Sequence, residues 1–210
     1  MARYTGPVCR LCRRDGTKLF LKGAKCFSEK CPVEKRNFPP GQHGQSRKVK
    51  KVVGYGLQLR EKQKAKRIYF TLETQFRAYY QKASNKTGVT GELLLQQLET
   101  RLDNVAYRLG FAMSRRQARQ VVRHGHLHLN GKKVTIPSTL VEVGDVISVA
   151  EASRTKKVIV EAIEMAQRRG VPPWMALERE QFRGSLRALP ARAELTMPIS
   201  EKLIVEHYSR

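Results

Sequence analysis

The chain has 210 residues, 40% of them hydrophobic, and carries 41 Lys and Arg against 18 Asp and Glu, a formal net charge of +23. The apolar share excludes a wholly disordered chain, and the length suits one or two small domains. A compact chain this basic repels itself unless a polyanion neutralises it, so nucleic acid is the first partner to consider. No apolar run could span a bilayer, there is no basic amphipathic anchor or lipidation signal, and Met1-Ala2-Arg3-Tyr4 is followed by no apolar leader. The expectation is a cytoplasmic chain with no membrane partner. The charge is concentrated at one end: residues 1–70 hold 19 Lys and Arg against 4 Asp and Glu, and residues 71–210 hold 22 against 14.

All four cysteines fall early, as Cys9-x2-Cys12 and Cys26-x4-Cys31. Two tight pairs joined by a loop form the ligand pattern of a closed, structural zinc site, and four thiolates can equally hold an iron–sulfur cluster. Disulfides do not suit a cytosolic chain, and four free thiols leave the clustering unexplained. Gly16 and Gly23 let the intervening chain turn, and Arg10, Arg13, Arg14, Lys25 and Lys30 are expected to lower the thiol pKa values. A basic segment of this length is expected to draw its folding energy from the metal.

Residues 32–56 are rich in Pro and Gly and read as a connector; they carry His43 and the run Arg47-Lys48-Val49-Lys50-Lys51. A helix begins near Leu57 and crowds Arg60, Lys62, Lys64, Lys66 and Arg67 into one stretch. Thr71 is placed to cap a second helix, in which Leu72, Phe76, Tyr79, Tyr80 and Ala83 recur at helical spacing. A third starts at Thr90. Its Leu95, Leu98, Leu102, Val105 and Leu109 step evenly to Gly110, which sits where a left-handed cap is wanted. Ser114 and Gln117 have capping-box spacing for a helix running to Gly125. At roughly 100° per residue, Arg115, Arg116, Arg119 and Arg123 form one edge of that helix beside the apolar edge of Ala118, Val121 and Val122. No acid lies between Ser114 and Gly125, so the row has no intrahelical partner and reads as a phosphate-binding edge.

A hairpin follows, with His126 to Leu129, an Asn130-Gly131 turn and Lys132 to Val134. His126 and His128 share a face with Lys132 or Lys133 nearby; RNA or solvent is a better environment for them than a metal. Gly144-Asp145 turns into a short strand, Val146 to Val149. Beyond it come a helix from about Lys156 to Arg169, strand-like pieces near 174–177 and 186–189, a core Trp174, and an apolar end at 199–208 that can dock.

Several of these motifs carry a family likeness. Arg101-Leu102-Asp103-Asn104-Val105, Ser114-Arg115-Arg116-Gln117-Ala118-Arg119, His124-Gly125-His126, Asn130-Gly131-Lys132 and Gly144-Asp145 resemble the RNA-binding domain named after small-subunit ribosomal protein S4. Arg3-Tyr4, Gly6 to Arg14, Pro39-Pro40-Gly41-Gln42-His43-Gly44, Leu59 to Lys64 and Tyr208-Ser209-Arg210 extend the resemblance to the bacterial S4 ribosomal protein family over essentially the whole chain. Many members lack the four cysteines, so a zinc-finger type rests on these residues alone.

The resemblance implies an α+β protein: a metal-binding extension over 1–45, a helical domain over 46–98 completed by about 196–210, and an inserted α/β RNA-binding domain over 99–195. It implies a primary rRNA-binding component of the small subunit that grips a helix junction in the 5′ domain and nucleates assembly. The implied neighbours are ribosomal proteins S3 and S5, near the mRNA entry, with a contribution to translational accuracy and, in some bacteria, repression of its own operon. The expected RNA contacts are Arg115, Arg116, Arg119 and Arg123, then Arg60, Lys62, Lys64, Lys66 and Arg67, and Arg47, Lys48, Lys50 and Lys51. Arg3, Arg10, Arg13, Arg14, His43, His126, Lys132 and Lys133 complete the set. An RNA-modifying enzyme would need a catalytic module, and the flanks contain neither a Gly-rich phosphate loop nor an activated nucleophile; no small-molecule substrate is implied. A stress factor on stalled subunits is a second alternative, separable by stoichiometry in mature subunits.

Overall fold

The computed structural model describes residues 4–46 and 52–209, apart from the Arg168 side chain. The chain divides into two compact units, Met1–Leu94 with Met197–Arg210, and Leu95–Thr196.

The first unit is helical. Short helices α1 (Cys9–Asp15) and α2 (Pro32–Lys35) precede α3 (Tyr55–Ile68) and α4 (Glu73–Ser84). Along α3, Gln58, Lys62, Ala65 and Ile68 recur at three- and four-residue steps and face inward; on α4 the inward positions are Phe76, Tyr79 and Ala83. The C-terminal helix α9 (Glu201–Tyr208) packs along α3 and buries Ile204. The expected Thr71 cap does not form: the residue before α4 is Leu72, with no side-chain cap, and the buried Thr71 hydroxyl has no partner.

The four cysteines form neither the expected zinc finger nor an iron–sulfur site, and the fold class loses its metal-binding part. Among the described residues, no group of three or more His, Cys, Asp or Glu side chains is placed to hold a metal ion. Cys9, Cys12, Cys26 and Cys31 are free thiols around a recess of only about 10 Å3, without closing on a common centre. The basic neighbours do not activate Cys12 or Cys26. Burial pushes the Cys12 thiol up to about 11 and raises Cys26 as well, so both keep their protons. Val8, Leu19 and Leu21 of this segment are buried, as are Cys12, Cys26 and Cys31, which behave as compact apolar side chains.

The second unit is α+β. Helix α5 (Thr90–Glu99) enters it, followed by α6 (Leu102–Leu109) and α7 (Arg115–Arg123). The even leucine spacing predicts one helix through Leu109, but the chain breaks at Thr100–Arg101. Arg101 is extended, and the break is fixed by distant backbone: Leu102 N–H donates to Thr139 O at 2.8 Å, Asp103 N–H to Pro137 O at 3.1 Å, and Val141 N–H to Thr100 O at 2.8 Å. Gly110 closes α6 at φ 95°, where a β-carbon would lie 2.3 Å from Ala166 Cβ. Ser114 caps α7 by accepting the Gln117 N–H at 3.3 Å, while the Gln117 side chain accepts from Met113 rather than from Ser114.

The hairpin strands β1 (Leu127–Leu129) and β2 (Lys132–Lys133) turn through Asn130 and Gly131, both at positive φ as an I′ turn requires. Then come β3 (Val146–Val149), α8 (Lys157–Arg169), β4 (Met175–Glu178), β5 (Arg183–Leu186) and, back in the first unit, α9 (Glu201–Tyr208). All pairings in the sheet are antiparallel, in the order β2-β1-β3-β5-β4. The last strand-like piece, expected near 186–189, lies earlier: β5 pairs with both β3 and β4, leaving Leu189 half exposed. The core joins Leu102, Val105, Leu109, Phe111, Val122, Leu127, Ile147, Ile159, Trp174 and Leu186. No described helix is long and apolar enough to cross a membrane.

Candidate nucleic-acid interface

The arginine edge of α7 is divided by burial. Arg115 and Arg119 are buried, Arg116 is half exposed and Arg123 is exposed. The acids that α7 lacks come from the preceding segment. Arg119 Nη1 donates to Asp103 Oδ2 at 3.2 Å, and Asp103 is also gripped by the fully buried Arg101, through Nε to Oδ1 at 3.0 Å and Nη2 to Oδ2 at 2.7 Å. Arg115 Nε donates to Asn104 Oδ1 at 2.7 Å. Asn104 in turn donates to Glu99 Oε2 at 2.6 Å and to the Glu99 carbonyl at 2.9 Å. Arg108 binds the same Glu99 carboxylate at 2.8 and 3.0 Å. The Arg115 and Arg169 guanidinium groups both lie over the Tyr107 ring, at 4.6 and 4.1 Å. Burial lowers the pKa of Arg119, with Asp103 opposing the shift. This network fixes the rotation and depth of α7 and so determines which arginines reach the surface.

A cation cluster forms at the end of α7. The Lys133 side chain lies against Gly125, where a β-carbon would fall 2.1 Å from its Cε. The Lys156 Nζ is 3.5 Å from His126 Nε2, His126 Nδ1 is 2.9 Å from Ser153 Oγ, and the His124 and His126 rings are 5.9 Å apart. Burial, then Lys156, His124 and Lys133, lower the His126 pKa, so the ring is neutral at pH 7. Arg123, His124, Lys132, Lys133 and Lys156 are exposed. Lys156 was not among the contact residues read from the sequence. Its position opposite His126 depends on the turn after β3, which no local motif encodes.

The basic stretch of α3 is partnered differently. Lys62 and Lys66 both bind Glu73, at 2.9 and 3.0 Å, and Tyr208 donates to Glu73 at 2.8 Å. Burial alone would raise the Glu73 carboxyl, but these three hydrogen bonds outweigh it and hold the pKa down at about 2. Lys64 bonds to Glu61 and to the Pro198 carbonyl, and Arg67 Nη1 to both oxygens of Asp15 at 2.8 and 2.9 Å. Lys62 is buried, with the Tyr208 ring 5.4 Å away, and Arg60 is exposed. Arg10, Arg14 and His43 are exposed, whereas Arg13 donates to the Phe38 carbonyl at 3.0 Å and covers its ring. Arg3, Arg47, Lys48, Lys50 and Lys51 lie outside the described residues.

Comparison with known proteins adds an independent finding. Residues 3–99 match the model of the ribosomal protein S4/S9 N-terminal domain, and residues 100–147 match that of the S4 domain. Over all 210 residues, and the full length of each relative, the chain is 62% identical to the small ribosomal subunit protein uS4 of Acidobacterium capsulatum. The corresponding identities are 61% for that of Koribacter versatilis and 60% for that of Citrifermentans bemidjiense.

Proposed function

The chain belongs to the uS4 family of small ribosomal subunit proteins, and from that premise we propose which of its cations meet the RNA. It is a structural, rRNA-binding component of the small subunit in the cytoplasm, takes part in subunit assembly, and is not an enzyme. In our reading, Arg116, Arg123, Lys132 and Lys133, joined by His124 and Lys156, form the phosphate-facing surface of the second unit, and the neutral His126 ring adds a hydrogen-bonding group beside Lys156. Arg115 and Arg119 act through them as positioning residues. The observation that carries this is the buried network of Glu99, Asp103 and Asn104, which holds α7 so that one part of its arginine edge faces inward and the other outward. On the first unit the exposed Arg10, Arg14, Arg60 and His43 take the same part. Lys62, Lys64, Lys66 and Arg67 divide their charge between internal carboxylates and the RNA.

We infer that recognition is of shape. The deep groove of an RNA helix gives side chains little access to bases, so cations fixed on two rigid units read the relative placement of phosphates at a junction. A helix junction of the 5′ domain, with ribosomal proteins S3 and S5 and the mRNA entry as neighbours, is the setting the family resemblance supports. A role in accuracy and repression of its own operon belong to the same proposal. Binding to the isolated 5′ domain of small-subunit rRNA, against equal tRNA across a salt series, tests the reading. Tight, competitor-resistant binding with a steep salt slope is expected; equal loss to tRNA would remove the junction from the proposal.

A further inference from the structure

Inside the first unit, Tyr4, Leu11, Gln63, Lys66, Arg67, Phe70, Thr71 and Leu72 line a recess of about 230 Å3. The recess opens to the surface between Tyr4 and Leu72. It is smaller than the roughly 300–1,000 Å3 of a drug-sized ligand pocket and suits one planar group.

The walls have a consistent chemistry. Tyr4 and Phe70 supply aromatic surface, Leu11 and Leu72 apolar surface, and Tyr4 and Leu72 are each about two-fifths exposed. Gln63 adds an amide. Thr71 adds a hydroxyl that is buried yet has no hydrogen-bond partner, the kind of group a native fold seldom leaves unsatisfied. Phe70 stands at φ 52°, a left-handed conformation that glycine takes without strain, at the turn where Thr71 N–H closes α3 onto the Lys66 carbonyl at 3.1 Å. Lys66 and Arg67 are held by Glu73 and Asp15, and among the described residues those bonds do not use all the donors of an ammonium and a guanidinium.

We propose that this recess takes one unstacked nucleobase of the bound rRNA, with its backbone phosphate at Lys66 and Arg67. The proposal rests on the rRNA-binding function. An aromatic wall, an amide and hydroxyl for the base edge, and adjacent cations for the phosphate are what a splayed-out RNA base requires. A free aliphatic ligand would leave the cations and the Thr71 hydroxyl without a role.

The test uses the full-length protein bound to the 5′ domain of small-subunit rRNA, with nucleotide-resolution chemical probing of base and sugar. Wild type is expected to protect the base edge of one nucleotide while its sugar becomes hyperreactive, and ultraviolet crosslinking is expected to join that nucleotide to the peptide carrying Tyr4 or Phe70. Leu11→Trp, which fills the recess, should abolish this signature and weaken binding about tenfold, the scale of one lost base–aromatic stack. Thr71→Val keeps the shape, removes the hydroxyl, and should release the base-edge protection with a smaller loss of affinity. Folding of both variants is checked by circular dichroism. Wild-type binding with no such nucleotide, or a signature that survives both folded variants, overturns the recess proposal alone. Failure of the wild-type protein to bind the 5′ domain overturns the junction reading beneath it.

Discussion

Helices α3 and α7 both carry a row of cations, and both rows find carboxylates, but the two settings differ in exposure. On α7 the acceptors Glu99 and Asp103 are buried, at 0% and 4% exposure, and Arg101, Arg115 and Arg119 are buried with them. On α3 the shared acceptor Glu73 has a side chain 45% exposed. Taking charges out of water is costly, so a buried pair that loses one partner is left with an uncompensated charge, whereas a surface pair that loses one is rescued by solvent. The α7 network is therefore a rigid mount and the α3 network an adjustable one.

The largest expected effect tests that contrast. Asp103→Ala removes the acceptor that Arg101 and Arg119 share and should cost about 3–5 kcal/mol in urea unfolding. A loss near the surface value would mean the mount is not held as described. Next, reversing charge at Arg116, Arg123 and Lys133 together should weaken 5′-domain binding by several kcal/mol, at roughly 1.5–3 per charge-assisted bond, with little change in unfolding. Retained affinity would take this face out of the interface. The smallest effect belongs to α3: Glu73 is half exposed although its partner Lys62 is buried, so Glu73→Gln should cost about 1–2 kcal/mol, below the Asp103→Ala loss. Its pH signature has a definite sign. The folded pKa of about 2 lies below the usual 4.5, so the Glu73 contribution is present above about pH 4.5 and fades as pH falls toward 2. The Gln variant should lack that part of the acid slope, and an unchanged slope would show that Glu73 does not supply it.

The sequence signals that held are local ones. Helical spacing along Phe76, Tyr79 and Ala83, the Gly110 cap and the Asn130-Gly131 turn depend on residues within a few positions. The signals that failed depend on partners far away in the chain. Leucine spacing runs unbroken across Thr100, but backbone from Pro137, Thr139 and Val141 sets the break. The α7 row has no partner within its own helix, as its sequence shows, and Asp103, 16 residues upstream of Arg119, supplies one from outside it. Cysteine spacing shows that two knuckles can approach each other; it does not show that four sulfurs share a centre, and here they do not.

In the proposed interface the outward cations touch phosphate and the buried arginines only position them. The most direct measurement is the salt dependence of 5′-domain binding for single neutral variants. Arg123→Gln and Lys133→Gln should each make the slope shallower by about one unit, as loss of a phosphate contact does. Arg119→Gln should leave the slope unchanged once its folded fraction is accounted for. A shallower slope for Arg119→Gln, with none for Arg123→Gln or Lys133→Gln, would contradict the account.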